Sequence, residues 1–287
     1  MAIRVVTDST SYIPEKLQKQ YDITVVPLSV SFQDESFKEL DVSVEYFYEK
    51  LSKSKELPTS SQPSVNDLYT VFENLVKQNH DIVAIFISSE MSGTYSTALL
   101  ASNMILEKYP KASIEIIDSR SNSMQLGFAA LTAAKEAIVG KCIREVVRAV
   151  KENIERSRFI FIPETLEYLK KGGRIGSAKA LLSSVLKIKP ILTVFDGKTN
   201  VIDRIRTKKR AITKMTDVFF ENIKTFGLGD VIVHHIQCEE EAKELANTIK
   251  EIIGKKVQIC SIGPVIGTHV GPGAIGIAYY TQEELLL

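Results

Sequence analysis

The residues best placed to do chemistry in this chain are small hydroxyls gathered where strands give way to helices. Thr7-Asp8-Ser9-Thr10-Ser11, Thr59-Ser60-Ser61-Gln62, Ser92-Gly93-Thr94 and Asp118-Ser119-Arg120 each close or follow an apolar, β-rich run. In an open parallel sheet, ligands bind beyond the carboxyl ends of the strands, and a helix N-terminus offers unpaired N–H groups and partial positive charge to an anion. Ser60 and Ser92 would each donate a hydrogen bond to an oxyanion, and Gly93 would let the backbone approach it. The alternative is that these hydroxyls only cap helices, as Ser, Thr and Asp commonly do; both readings stand at this level.

Other chemistries are less well supported. There is no G-x-x-x-x-G-K-[ST] phosphate loop. The formal G-x-G-x-x-G at Gly271–Gly276 has no βαβ unit after it and reads as turn chemistry into a last strand. Ser92, in E-M-S-G-T, lacks the nucleophile-elbow context. A hydrolase or acyltransferase using Ser92 would need a histidine, for which His269, in the loop-like "GTHVGPG", is the candidate base. His234 and His235 are adjacent in a strand pattern and face opposite ways, so no metal set forms around them.

These residues need elements to position them. "IRVVT", "DIVAIFISS" and "SIEIIDS" are β-rich runs separated by helical segments, the pattern of a parallel sheet flanked by helices. From Arg158 the pattern changes: a strand "RFIFIP", a helix ended by Gly172–Gly173, a hairpin around Asp196–Gly197, and further helices and strands. The expected fold is α/β with two α/β domains. Residues 1–157 would form a mostly parallel open sheet with flanking helices and carry the hydroxyl-rich site; residues 158–287 would form a mixed sheet with helices.

Composition bounds the rest. The 287 residues are 44% hydrophobic and 25% charged with net charge +1, an ordinary globular balance that argues against a general nucleic-acid binder. The start, MAIRVVTDST, lacks a secretory apolar core, and no apolar run reaches the ~20 residues of a membrane span. Cys142, Cys238 and Cys260 read as reduced core thiols, so a cytoplasmic location with no integral membrane segment is expected.

Taken in order, "VTDSTS", "TSSQPS", "SGTY", "IDSR", "LEYLKKGGRIG" and "GPVIGTHVGPGAIG" resemble the DegV family. Its better-understood members are the fatty-acid-binding subunits of bacterial fatty acid kinase. The resemblance implies a long-chain fatty acid in a buried apolar cavity, with its carboxylate held by Ser60 and Ser92. Ser60 stands where the family usually has threonine, keeping the hydroxyl but losing the stiffer β-branched side chain. Ser61, Gly93, Thr94, Ser119, His269 and Arg174 would support the head group. The partners implied are an ATP-dependent kinase subunit that makes an acyl phosphate and an acyltransferase that uses it. No cofactor is expected beyond the bound acid. The basic run "DRIRTKKR" would be a solvated face or a kinase-docking patch, with Arg204 and Arg206 as its contacts.

Overall fold

The computed structural model describes residues 2–183 and 188–285. In the first half, β1 (Ile3–Asp8), α1 (Glu15–Gln20) and β2 (Ile23–Val26) are followed by short strands β3 (Ser29–Ser31) and β4 (Ser36–Lys38). Then come α2 (Val44–Lys53), β5 (Thr59–Ser61), α3 (Val65–Lys77), β6 (Asp81–Phe86), α4 (Thr94–Lys108), β7 (Ile114–Asp118), α5 (Ser123–Ile138) and α6 (Ile143–Arg156). The second half runs β8 (Ser157–Ile162), α7 (Glu167–Lys171), a 3-10 segment Gly176–Ser183, β9 (Lys189–Phe195), β10 (Lys198–Ile205) and α8 (Lys208–Phe226). It ends with β11 (Leu228–His235), α9 (Glu239–Ile253), β12 (Gln258–Ser261), α10 (Pro264–Val270) and β13 (Ile275–Thr281).

These strands make a parallel sheet in the order β2-β1-β6-β7 and a mixed sheet in the order β10-β9-β8-β13-β11-β12, in which only β11 and β12 pair in parallel. The period-2 alternation of strand side chains assigns residues to layers. On β6, Val83 and Ile85 join the central core while Ile82, Ala84 and Phe86 face the core under α3 and α4. On β8, Phe159 and Phe161 join the same central core, and Ile160 and Ile162 face α8. The central layer contains α5, whose Leu126, Phe128, Ala129, Ala130, Leu131 and Ala133 are buried on every side of the helix, as an all-apolar helix requires. The fold is therefore α/β throughout, with the two sheets facing each other across α5.

Three features differ from the sequence reading. First, β3, β4 and β5 form a small antiparallel sheet of their own, in the order β4-β3-β5. Pro27, unable to donate to a ladder, separates β2 from β3, so the run Ile23–Phe32 is divided between two sheets. Second, the glycine-rich stretch around His269 is not a loop: Pro264–Val270 is a helix with Pro264 in its first turn. Third, Cys142 is exposed at the start of α6 rather than in the core. The turn Asp196–Gly197 has φ of 47° and 77°, the left-handed pair a tight hairpin needs. Residues 184–187 of the apolar run Leu181–Phe195 lie outside the described residues; Leu192 and Val194 within it belong to the central core.

Candidate functional site

The sheet order reverses between β1 and β6, and Asp8 joins their ends by accepting the Ile87 N–H at 2.7 Å. Beyond this point a narrow cavity opens between the two sheets. Its volume is about 60 Å³. Such a slot takes a thin ligand rather than a bulky one.

Its polar end is assembled from four segments. Ser60 faces it from β5, half-buried between exposed Thr59 and Ser61, as strand alternation dictates. Ser60 is therefore not a helix cap: the cap of α3 is Ser64, in a capping box with Asp67. Gln62, just past β5, lays its amide across Gly93, where a Cβ would stand 2.6 Å away, and donates to Thr97 Oγ1 at 3.1 Å. That contact brings the Ser60 segment to the Ser92 segment. Ser92 precedes the Gly93 N-cap of α4; its Oγ lies 2.9 Å from Thr94 Oγ1 and accepts the Thr94 N–H at 3.3 Å.

The second half supplies the cation and the imidazole. Arg174 donates from Nε to Met91 O at 2.9 Å and from Nη1 to Gly172 O at 2.6 Å. Among the described residues, no ion pair neutralises it and no acidic side chain lines the cavity. His269 Nε2 lies 2.8 Å from Ser60 Oγ. Its Nδ1 is buried without a partner and lies against Gly172, where a Cβ would come within 2.2 Å. Burial first, and the Arg174 charge second, push the His269 pKa down to about 4, so the ring is neutral at pH 7. An Nδ1 with no acceptor favours the tautomer with hydrogen on Nε2, which donates to Ser60 and leaves the Ser60 hydrogen for a ligand.

The helix carrying His269 is fixed from the opposite half of the chain. Glu39, buried, accepts the Val265 N–H and the Tyr12 hydroxyl, each at 2.9 Å, and Tyr12 Oη accepts the Ile266 N–H at 3.3 Å. Burial raises the pKa of Glu39. Gly267 admits Tyr48 so closely that a Cβ would lie 2.2 Å from its hydroxyl oxygen.

Beyond the polar rim the walls are apolar, including Leu28, Ile87, Leu169 and Val265. Phe159, Phe161, Ile266 and Val270 also wall a small adjoining apolar space of about 20 Å³ that reaches Ile236 and Ala274. His234, at the edge of that space, is pushed down to about 4 chiefly by burial and is neutral.

Of the residues singled out from sequence, Ser60, Ser92, Gly93, Arg174 and His269 line one cavity, with Thr94 bonded to Ser92. Ser61 faces outward, and Ser119 is buried and donates to Ser121 O, so neither lines it. The hydroxyl-rich segment after β1 is also used internally: Asp8 accepts from Thr10 N–H and Oγ–H, and Ser9 Oγ accepts the Leu28 N–H. Arg204 and Arg206 are exposed at the end of β10 and just beyond it, while Lys208 of the same basic run is half-buried and paired with Glu241 and Glu164. Sequence reasoning missed Asn122 and Thr199 as lining residues; no local pattern marks them.

A family model described as uncharacterised protein, DegV family, matches residues 2–282. A DegV domain-containing protein of Clostridium acetobutylicum is 57% identical over 285 residues, covering 99% of this chain and 100% of the relative. The fold matches that of DegV, a fatty acid binding protein from Bacillus subtilis, with TM-score 0.88 and 34% identity over 98% of this chain and 99% of that one. It also matches a stearic acid-binding protein from Eubacterium ventriosum, with TM-score 0.90 and 26% identity over 98% of each chain.

Proposed function

The chain belongs to the DegV family, and from that premise we propose that it binds a long-chain fatty acid, carboxylate at the Ser60–Ser92 rim and acyl chain in the apolar slot. The observation that carries this reading is a rim of donors that includes the Arg174 guanidinium, with no carboxylate or ion pair to it among the described residues, at the end of a thin apolar cavity. Each methylene buried there contributes ~0.8 kcal/mol, so the chain supplies most of the affinity and the rim fixes its register. Residues 1–157 would contribute the two hydroxyls and residues 158–287 Arg174 and His269, as two domains sharing one ligand.

The finer reading follows the family resemblance. The bound carboxylate would be presented to an ATP-dependent kinase subunit, which converts it to an acyl phosphate for an acyltransferase. Arg174 would steady the added phosphate charge, and the exposed Arg204 and Arg206 would meet the kinase. A cytoplasmic setting fits three free cysteines. In a coupled assay, charge reversal at Arg204 and Arg206 should abolish phosphorylation while leaving acid retention unchanged; unchanged phosphorylation would remove that docking role.

The hydrolase reading has less support. His269 is partnered with Ser60 rather than Ser92, has no carboxylate behind it, and at a pKa of about 4 is a weak base at neutral pH. Mass spectrometry of an organic extract of freshly purified protein, with intact-mass analysis, separates the two. A non-covalent fatty acid near one per chain supports the binding reading; an acyl adduct on Ser60 or Ser92 supports the hydrolase.

A further inference from the structure

The segment Asp118-Ser119-Arg120 contributes no lining residue to the cavity, yet Arg120 reaches across to the second sheet. Its Nη2 donates to Asp196 O at 2.7 Å and to Asp196 Oδ1 at 2.5 Å, and its Nη1 lies 3.7 Å from both Glu90 and Asp118 carboxylates. Around it, Ser88 Oγ donates to Gly197 O at 2.9 Å and Lys198 pairs with Glu90 at 3.2 Å. The hairpin tip is pressed onto the loop between β6 and α4 so closely that a Cβ on Gly197 would stand 2.6 Å from Ser88 Oγ and 3.0 Å from Arg120 Cζ. This loop carries Met91, Ser92 and Gly93 into the cavity. Two residues past the turn, Thr199 lines the same cavity and donates to Arg174 O at 2.8 Å.

The rim loop is thus tied to the second half at two places: at Met91 by exposed Arg174, which bonds main-chain carbonyls, and at Ser88 and Glu90 by the hairpin. The second tie is the one that carries ion pairs. The Arg120, Asp196 and Lys198 side chains are 34%, 75% and 57% exposed, and ion pairs so exposed are individually weak, reversible and screened by salt. A ligand held between the two sheets leaves only if the halves separate somewhere along the rim. We propose that Arg120 is a positioning residue acting as a clasp: the rim opens where the hairpin tip meets the loop between β6 and α4, and Arg120 sets how fast the ligand exchanges rather than how tightly the closed site holds it. This inference rests on the fatty-acid reading.

The test uses the full chain, stripped of endogenous lipid and reloaded with the fluorescent fatty acid cis-parinaric acid, with release followed by stopped flow into excess phosphatidylcholine vesicles. Arg120→Ala should speed both uptake and release about fivefold while moving the equilibrium Kd by less than about twofold. Arg120→Lys should fall between the variant and the wild type. Raising salt from about 0.02 M to about 0.5 M should speed wild-type release more than that of Arg120→Ala, which keeps only the Lys198–Glu90 pair across the tip. Asp196→Asn, on the exposed hairpin tip and still suited to its left-handed backbone, should reproduce the effect independently of any folding defect at Arg120. Unchanged exchange in Arg120→Ala and Asp196→Asn, or faster release matched by an equal loss of affinity with the salt response intact, overturns the clasp and leaves the fatty-acid reading standing. A wild-type protein that does not take up the probe overturns both.

Discussion

Replacing Ser60 and Ser92 separately by alanine tests the head-group assignment in a way that a simple loss of binding does not. A hydrogen bond to an ionised group contributes about 1.5–3 kcal/mol, so each substitution should weaken binding of a long-chain carboxylate about 10- to 150-fold. Against the methyl ester of the same acid the bond is neutral, worth about 0.5–1.5 kcal/mol, and the penalty should shrink to about 2- to 12-fold. The acyl contribution, ~0.8 kcal/mol per methylene, is untouched, so affinity against chain length should give parallel lines for wild type and variants. The two variants differ in a further respect. Ser60 is the partner of His269 Nε2, and Nδ1 of that ring already has none. Ser60→Ala therefore leaves a buried imidazole unsatisfied with or without ligand and should lower stability by about 1–3 kcal/mol as well as affinity. Displacement titrations with acid and ester, alongside chemical denaturation, read both effects. Equal penalties on acid and ester, or none on either, would show that the hydroxyls do not hold a carboxylate.

The parts of this molecule legible in its sequence are those whose cause is local. The apolar run of β6 is buried on both faces. The Asp196–Gly197 turn announces itself because two consecutive left-handed residues need that chemistry. The short sheet of β3, β4 and β5 was illegible because strands of three residues, with Val30 alone among them buried, are too short to show a period. Helix α10 was illegible for a different reason. Its glycines and proline read as turn, but Gly267 is required by Tyr48, packed against it from a residue more than two hundred positions away. Its N-terminus is held by Glu39 and Tyr12, residues that no local pattern connects to His269. The hydroxyl clusters looked alike in sequence; tertiary pairing alone separates the segments of Ser60 and Ser92 from the Asp8 and Asp118 segments, which are consumed internally.

Four further outcomes follow from named contacts. Gly172→Ala places a methyl within 2.2 Å of His269 Nδ1 at a φ of −74° that alanine accepts, so it should cost at least tenfold in fatty-acid affinity with the fold retained by circular dichroism. Ala274→Leu projects into the adjoining apolar space and should shift the extracted acid toward shorter chains, read by mass spectrometry; an unchanged profile would mean the tail does not reach there. One thiol per native chain, Cys142, should react rapidly with a disulfide reagent, because burial limits Cys238 and Cys260 and holds their pKa up at about 11 and about 12. The last concerns acid. His234 and His269, ordinarily near 6.5, are held at about 4, so below pH 6.5 the unfolded chain binds protons that the native chain refuses, and stability falls with pH through that window. For fully buried His234 this approaches ~3 kcal/mol, and for the less buried His269 less. Asp8 works the other way: raised to about 6, it takes a proton in the native state first, so it adds stability as pH falls from about 6 to its ordinary 3.8. The loss should therefore be steepest around pH 6 and ease toward pH 4, as Asp8 and Glu39, also raised, take up protons in the native chain first. Denaturation midpoints measured across pH 4–7 should show that bend, and His269→Gln should make the fall shallower; an unchanged slope in that variant would mean the ring is not held neutral by its burial beside Arg174.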